Sequence, residues 1–175
     1  MDWRSEKSEL WAFLESLRSG ETLGGTVSSI DSFGVFVALD RGPDHPLFPG
    51  VGFISMPELS WIRWESVSDV VRIGERIVCE FMAFDTWNLE ARLSLRATRP
   101  DPFEEFARSV APGQLLRGRV TKVVPIGVFV EVAEGVEGLV RELPVRDGVR
   151  VGDELTVVVG ELDRARRRVT LACRG

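Results

Sequence analysis

A chain of 175 residues that is 44% apolar and 28% charged has material for one ordinary core or two small ones, and this composition excludes a disordered protein. No run approaches ~18 uninterrupted apolar residues, so no membrane partnership is expected; Cys79 and Cys173, isolated and without metal-ligand spacing, give no disulfide framework or zinc site. The net charge of −5 is uneven: residues 18–98 carry −4 and residues 112–175 carry +2.

The first seventeen residues, "MDWRSEKSELWAFLESL", are charged throughout and lack a signal-peptide core, which with the isolated thiols predicts a cytoplasmic, reducing location. Leu10, Leu14 and Leu17 follow i, i+4, i+7 with Trp11 beside them. That spacing predicts an amphipathic helix from about Ser5 to Leu17, packed on the next element or docked to a partner. After it, β-branched runs punctuated by Gly and Pro predict five strands. They fall at about Thr22–Ile30, in "GVFV" from Gly34, in "GFIS" from Gly52, and at about Arg76–Phe84 and Arg92–Arg96. "DPFEEFARSV" then predicts a short helix, with Asp101 as N-cap, Pro102 at the first position, and Phe103, Phe106 and Val110 on one face.

The remainder repeats the first unit. "SGETLGGTVSSIDSFGVFVAL" from Ser19 aligns without gaps on "PGQLLRGRVTKVVPIGVFVEV" from Pro112, an offset of 93, with eight of 21 positions identical. "VRIGERIVCEFMAFD" from Val71 aligns on "VRVGDELTVVVGELD" from Val149, and "GFISMPEL" and "ARLSLR" have counterparts in "GLVREL" and "RRVTLA". Four landmarks in one order mark a tandem duplication. The predicted fold is mainly β: an N-terminal helix (1–18), a five-stranded barrel (19–98), a helical linker (99–111) and a second five-stranded barrel (112–175). The copies differ in loops, with twelve residues between Leu39 and Gly52 where the second copy has five.

In Val128-Phe129-Val130-Glu131-Val132, alternation puts the valines on one face and Phe129 with Glu131 on the other, which predicts a solvent-facing ring; Phe36 holds the same place in the first copy. A ring in water is a stacking platform for unpaired bases, unless a loop covers it. Arg117 and Arg119 share the outer face of their strand with Lys122 nearby, and Arg164, Arg166, Arg167 and Arg168 crowd the last hairpin, where phosphate contacts would form. Trp61, Arg63, Trp64 and Trp87 lie in loops of the acidic first copy, where stacking on bases, a protein interface and simple packing all remain open. His45, in a Pro-rich insertion, reads as a loop residue, and no nucleophile motif, phosphate-cradling loop or metal cluster points to an enzyme.

The landmarks together resemble the S1 domain, an RNA-binding barrel of the OB type, over about residues 19–98 and 112–175. The resemblance implies single-stranded RNA binding without catalysis or cofactor, by two aromatics, a third-strand histidine, an Asp and an Arg. These fall on Phe33, Phe36, Ser55, Asp85 and Arg92 in the first copy, and on Ile126, Phe129, Arg141, Asp163 and Arg168 in the second. Both copies lack the histidine, and the second lacks the first aromatic. The helical spacer resembles that between repeats of ribosomal S1 proteins, which implies translation or RNA metabolism as the setting and the ribosome or another protein of RNA metabolism as a partner. The alternative is a protein-docking module with little RNA binding of its own.

Overall fold

The computed structural model describes residues 2–141 and 148–174, and the chain divides into two compact units, Met1–Arg99 and Pro100–Gly175. The first opens with helices α1 (Trp3–Glu6) and α2 (Ser8–Ser16) and continues through β1 (Thr22–Asp31), β2 (Gly34–Leu39), β3 (Gly52–Ser55), β4 (Arg76–Asp85) and β5 (Glu90–Ser94). The strands close in the order β1-β2-β3-β5-β4, antiparallel except for β3 beside β5. The helix expected as one piece from Ser5 to Leu17 is two, broken where Lys7 leaves helical geometry at φ −130°, ψ 56°. Leu10, Leu14 and Leu17 are buried on α2 and just after it, in one core with Leu23, Val27, Val35, Ile54 and Leu93 of the barrel.

The second unit comprises α3 (Pro102–Ser109), β6 (Leu115–Val124), β7 (Gly127–Ala133), β8 (Val136–Arg141), β9 (Glu154–Asp163) and β10 (Arg168–Cys173). Its strands close as β6-β7-β8-β10-β9, the same circuit. Glu142 and Leu143, which end the "GLVREL" landmark, lie outside the described residues. Helix α3, read from the sequence as a linker, buries Phe103, Phe106 and Ala107 in one cluster with Val120, Val130, Val140 and Leu171 of this barrel.

α3 is the counterpart of α2. At the offset of 93, Leu10, Leu14 and Leu17 become Phe103, Ala107 and Val110, and the bonds that lead out of each helix repeat. Gly20 N donates to Phe81 O at 2.8 Å and Gly113 N to Val159 O at 2.7 Å, while Arg18 N and Ala111 N each donate to the side chain three residues on. The duplicated unit is therefore a helix with its barrel. The helices are fixed differently. Asp101 caps α3 by accepting from Phe103 N, and its carboxylate also takes a two-pronged contact from Arg167 at 2.7 and 2.9 Å. The hairpin position of Arg167, left-handed at φ 52°, is held in the first unit by Leu89 at φ 58°, fully buried.

Candidate nucleic-acid interface

Both barrels carry on their outer face a row of side chains crossing four strands. In the first the register sets Ser29, Phe36, Phe53 and Arg92 abreast on β1, β2, β3 and β5. In the second the row is Lys122, Phe129, Leu139 and Thr170 on β6, β7, β8 and β10. Adjacent strands lie about 4.8 Å apart, so these are direct neighbours. A β-bulge in β1 and in β6 re-aims each strand at the same place, where Ser28 donates to the Phe36 carbonyl at 3.2 Å and Thr121, 3.4 Å from the Phe129 carbonyl, donates to Glu137 at 2.8 Å. The bulge is what brings Ser29 and Lys122 opposite the rings.

The first row is crowded with aromatics. The Phe53 centroid is 5.2 Å from Phe36 and 5.8 Å from Phe33, and the Arg92 guanidinium lies 4.9 Å over Phe53. Gly34 makes this possible, because a side chain there would collide with the edge of the Phe53 ring. The expectation of a solvent-facing Phe36 is corrected here: Phe36 is 5% exposed, covered by Phe33, Phe53 and, from the long loop after β2, Phe48 at 5.6 Å. The exposed ring is Phe33, at 61%. Ser55 is half-buried opposite Gly34.

Asp85 positions the cation of this row. Its carboxylate accepts from Arg92 Nε and Nη2 at 3.2 and 2.9 Å, from the backbone of Trp87 and Asn88, and from the Asn88 side chain. Burial works to raise the Asp85 carboxyl, but the bonds from Asn88 and Arg92 outweigh it and hold it below the usual range. Glu90, facing Asp85 across the hairpin and 4% exposed, is pushed up to about 7 by burial; Arg92 opposes the rise and Asp85 adds to it. Asn88 O in turn holds His45, whose Nε2 donates to it at 2.8 Å while Nδ1 accepts from Leu47 and Phe48 N–H. Burial lowers the His45 imidazole, only partly offset by the Asn88 bond, and Nδ1, which accepts from two N–H groups, carries no proton, so the ring fastens the loop.

The second row is open. Phe129 is half-buried, with no ring against it among the described residues, since the short β7–β8 turn brings none. Ile126, 62% exposed, stands where the first unit has Phe33. Lys122 and Arg141 are exposed beside the platform, Arg141 across from Gly127. Arg119 is exposed opposite Glu131 and Glu154, and Arg117 pairs with Glu154 at 2.7 Å.

The motif spacing set Arg168 as the match of Arg92, and the register corrects this. Both hairpins have four residues between the paired Asp85–Glu90 and Asp163–Arg168, so Arg168 takes the place of Glu90, and Thr170 that of Arg92. Asp163 accepts from Arg166 N and lies 3.9 Å from its guanidinium, and the Asp85–Arg92 clamp has no counterpart. The row's cation has changed sides, from the last strand in the first barrel to the first strand in the second. Arg167, expected to meet phosphate, is bound to Asp101, and Arg164 lies 3.6 Å from Glu104.

The loop tryptophans separate. Trp61 donates to Arg96 O at 2.8 Å under the Arg96 guanidinium, 4.1 Å from its ring, and Trp64 packs on the core. Arg63 is exposed. Trp87 is 85% exposed at the tip of the β4–β5 hairpin. Sequence reasoning missed Phe53 and Phe48. Phe53 was readable, since alternation in "GFIS" puts it on the face of Ser55; the contact of Phe48 with Phe36 spans a loop and left no periodic signal. Among the described residues no group of His, Cys, Asp and Glu could hold a metal ion, and no helix is long and apolar enough to cross a membrane.

Two barrels of this topology, each bearing the glycine–aromatic strand on its outer face, define a tandem array of one nucleic-acid-binding fold, and the S1 RNA binding domain matches residues 16–96 and 109–174: the chain belongs to this family. It is similar to the small ribosomal subunit protein bS1 of Mycolicibacterium smegmatis, 42% identical over 91% of this chain and 33% of that protein. The bS1 proteins of Neisseria meningitidis and Pseudomonas aeruginosa are 30% and 31% identical, over 91% and 94% of this chain and 29% and 30% of theirs. The chain spans about a third of the length of these relatives.

Proposed function

We propose that this chain binds single-stranded RNA without catalysing a reaction, in the cytoplasm and in the setting of translation, and that the second barrel provides the main contact. The observation that carries the reading is the open row on that barrel, Phe129 with Lys122 directly across from it and Arg119, Arg141 and Arg168 exposed on neighbouring strands. A partly exposed ring stacks on a base of any identity, and flexible cations at its margin take phosphates without reading sequence. A duplex keeps its bases stacked inside and offers the ring nothing, so single strands are preferred. Membership of the S1 RNA binding domain family and likeness to small-subunit ribosomal proteins support this setting, with the ribosome as a partner.

Anisotropy of a labelled single-stranded RNA titrated with the full chain at two salt concentrations, with a duplex control, tests the reading. Binding to the single strand should weaken with salt at about −0.7 per phosphate contacted. Equal affinity for duplex and single strand, or no binding at low salt, refutes it. Trp87, 85% exposed on the acidic barrel, favours a second reading in which that barrel docks a protein. Salt separates the two, since an apolar contact survives it.

A further inference from the structure

The two barrels carry the same ring on the same strand, yet only one is covered by other rings among the described residues. Phe36 is 5% exposed and Phe129 half-buried, although "GVFV" is identical in both and both strands follow a bulge at the same place. Two things differ: Phe33 and Phe53 give way to Ile126 and Leu139, and the loop after β2 has twelve residues where the turn after β7 has two. The longer loop brings Phe48 onto Phe36, with centroids 5.6 Å apart and planes tilted by 38°. His45 then stacks on Phe48 at 4.5 Å and 24°, continuing the pile by another ring. Phe48 thus covers the strand-borne phenylalanine with a tilted ring, and His45 stacks on the far side of Phe48.

The pile is held in place. His45 Nδ1 accepts from the Leu47 and Phe48 N–H groups, its Nε2 donates to Asn88 O, and Trp3 meets its ring edge-on at 6.2 Å. Pro43, Pro46 and Pro49 limit the backbone freedom of the same loop. A base reaching Phe36 would have to break this set, whereas among the described residues no ring lies against Phe129.

We infer that Phe48 acts as a built-in surrogate base, so that the first barrel's stacking platform is filled by its own loop and the RNA is taken on the second barrel. The inference rests on the RNA-binding reading above and deepens it by making Phe48 the residue that decides which of two duplicated platforms is used.

Ultraviolet cross-linking of the full wild-type chain to single-stranded RNA, with adducts mapped by mass spectrometry, tests it. Adducts are expected on the Phe129 peptide and not on the Phe36 peptide. Phe48→Ala should then bring an adduct to Phe36 and tighten the affinity for an RNA long enough to reach both barrels, by about 5-fold or more, the size of one added stacking contact. Adducts at Phe36 as abundant as at Phe129 in the wild-type chain overturn the inference, whether or not the variant folds. So does a folded Phe48→Ala chain with unchanged affinity and no new adduct. If the wild-type chain binds no single strand at low salt, the RNA-binding reading itself fails.

Discussion

Replacing Phe129 and Phe36 by alanine in turn should have opposite consequences, although the two residues occupy equivalent positions. Phe129 is only partly exposed, so Phe129→Ala gives up somewhat less than a fully buried ring would, roughly 1–2 kcal/mol of stability. For a unit of this size that is a fall in Tm of about 4–16 °C. The base that stacked on it is lost as well, worth about 1–3 kcal/mol, or a 5- to 150-fold weaker Kd. Phe36, 5% exposed and touched by three other rings, should behave as core and cost about 3–5 kcal/mol on truncation. Anisotropy with labelled single-stranded RNA, paired with thermal melts of each variant, reads both quantities. Affinity within about twofold of the parent for Phe129→Ala would remove the ring from the interface. A collapse as deep as that of Phe36→Ala would show that it is core, and the argument from exposure would fail.

Arg167→Ala should lower the second unit's stability by about 1–3 kcal/mol through loss of the charge-assisted pair to Asp101 and leave the salt slope of RNA binding unchanged, whereas Arg168→Ala should flatten that slope by about 0.7; the reverse pattern would put Arg167 at the phosphates. Glu90 has its folded carboxyl raised from an ordinary 4.5 to about 7, so the first unit should lose stability as pH rises from 4.5 to 7 and stay level above that, because the unfolded chain gives up the proton first. Glu90→Gln should therefore stabilise at pH 8, by roughly 2–4 kcal/mol, and change nothing below about pH 4.5; identical melts at pH 8 would refute this. Burial pushes the Cys79 thiol up to about 12, and Cys173 is half-buried, so a maleimide should label the native protein at Cys173 alone; modification of both without denaturant would contradict the burial of Cys79.

Much of the fold was legible because it rests on local signals. Ten strands followed from alternation and Gly/Pro punctuation, and the duplication from matched landmarks. The same offset of 93 sets Leu10, Leu14 and Leu17 on Phe103, Ala107 and Val110, so the pairing of the two helices was also within reach; it was hidden because leucine, phenylalanine and alanine share burial but not identity. The site was less legible. Alternation assigns a side chain to a face and says nothing about what a distant loop lays over that face, which is why Phe36 and Phe129 read alike. Motif spacing erred at the last hairpin for a related reason: "RLSL" and "RVTL" look equivalent, but the four-residue turns fix the register to Asp85 and Asp163, and the arginines fall two residues apart. Arg167 read as one of four hairpin cations open to phosphate because its partner, Asp101, lies 66 residues away.

The helix that precedes each barrel shares that barrel's core, so the seam of the duplication lies near Arg99 and Pro100, in chain that belongs to neither apolar cluster. A crossover between genes at that seam would move a complete cassette and cut no core. Arrays of such cassettes can lengthen or shorten by whole copies at little risk to folding. Each copy is also free to change its loops, its charge and the covering of its outer face without disturbing its neighbour, and the rows on these two barrels differ in all three.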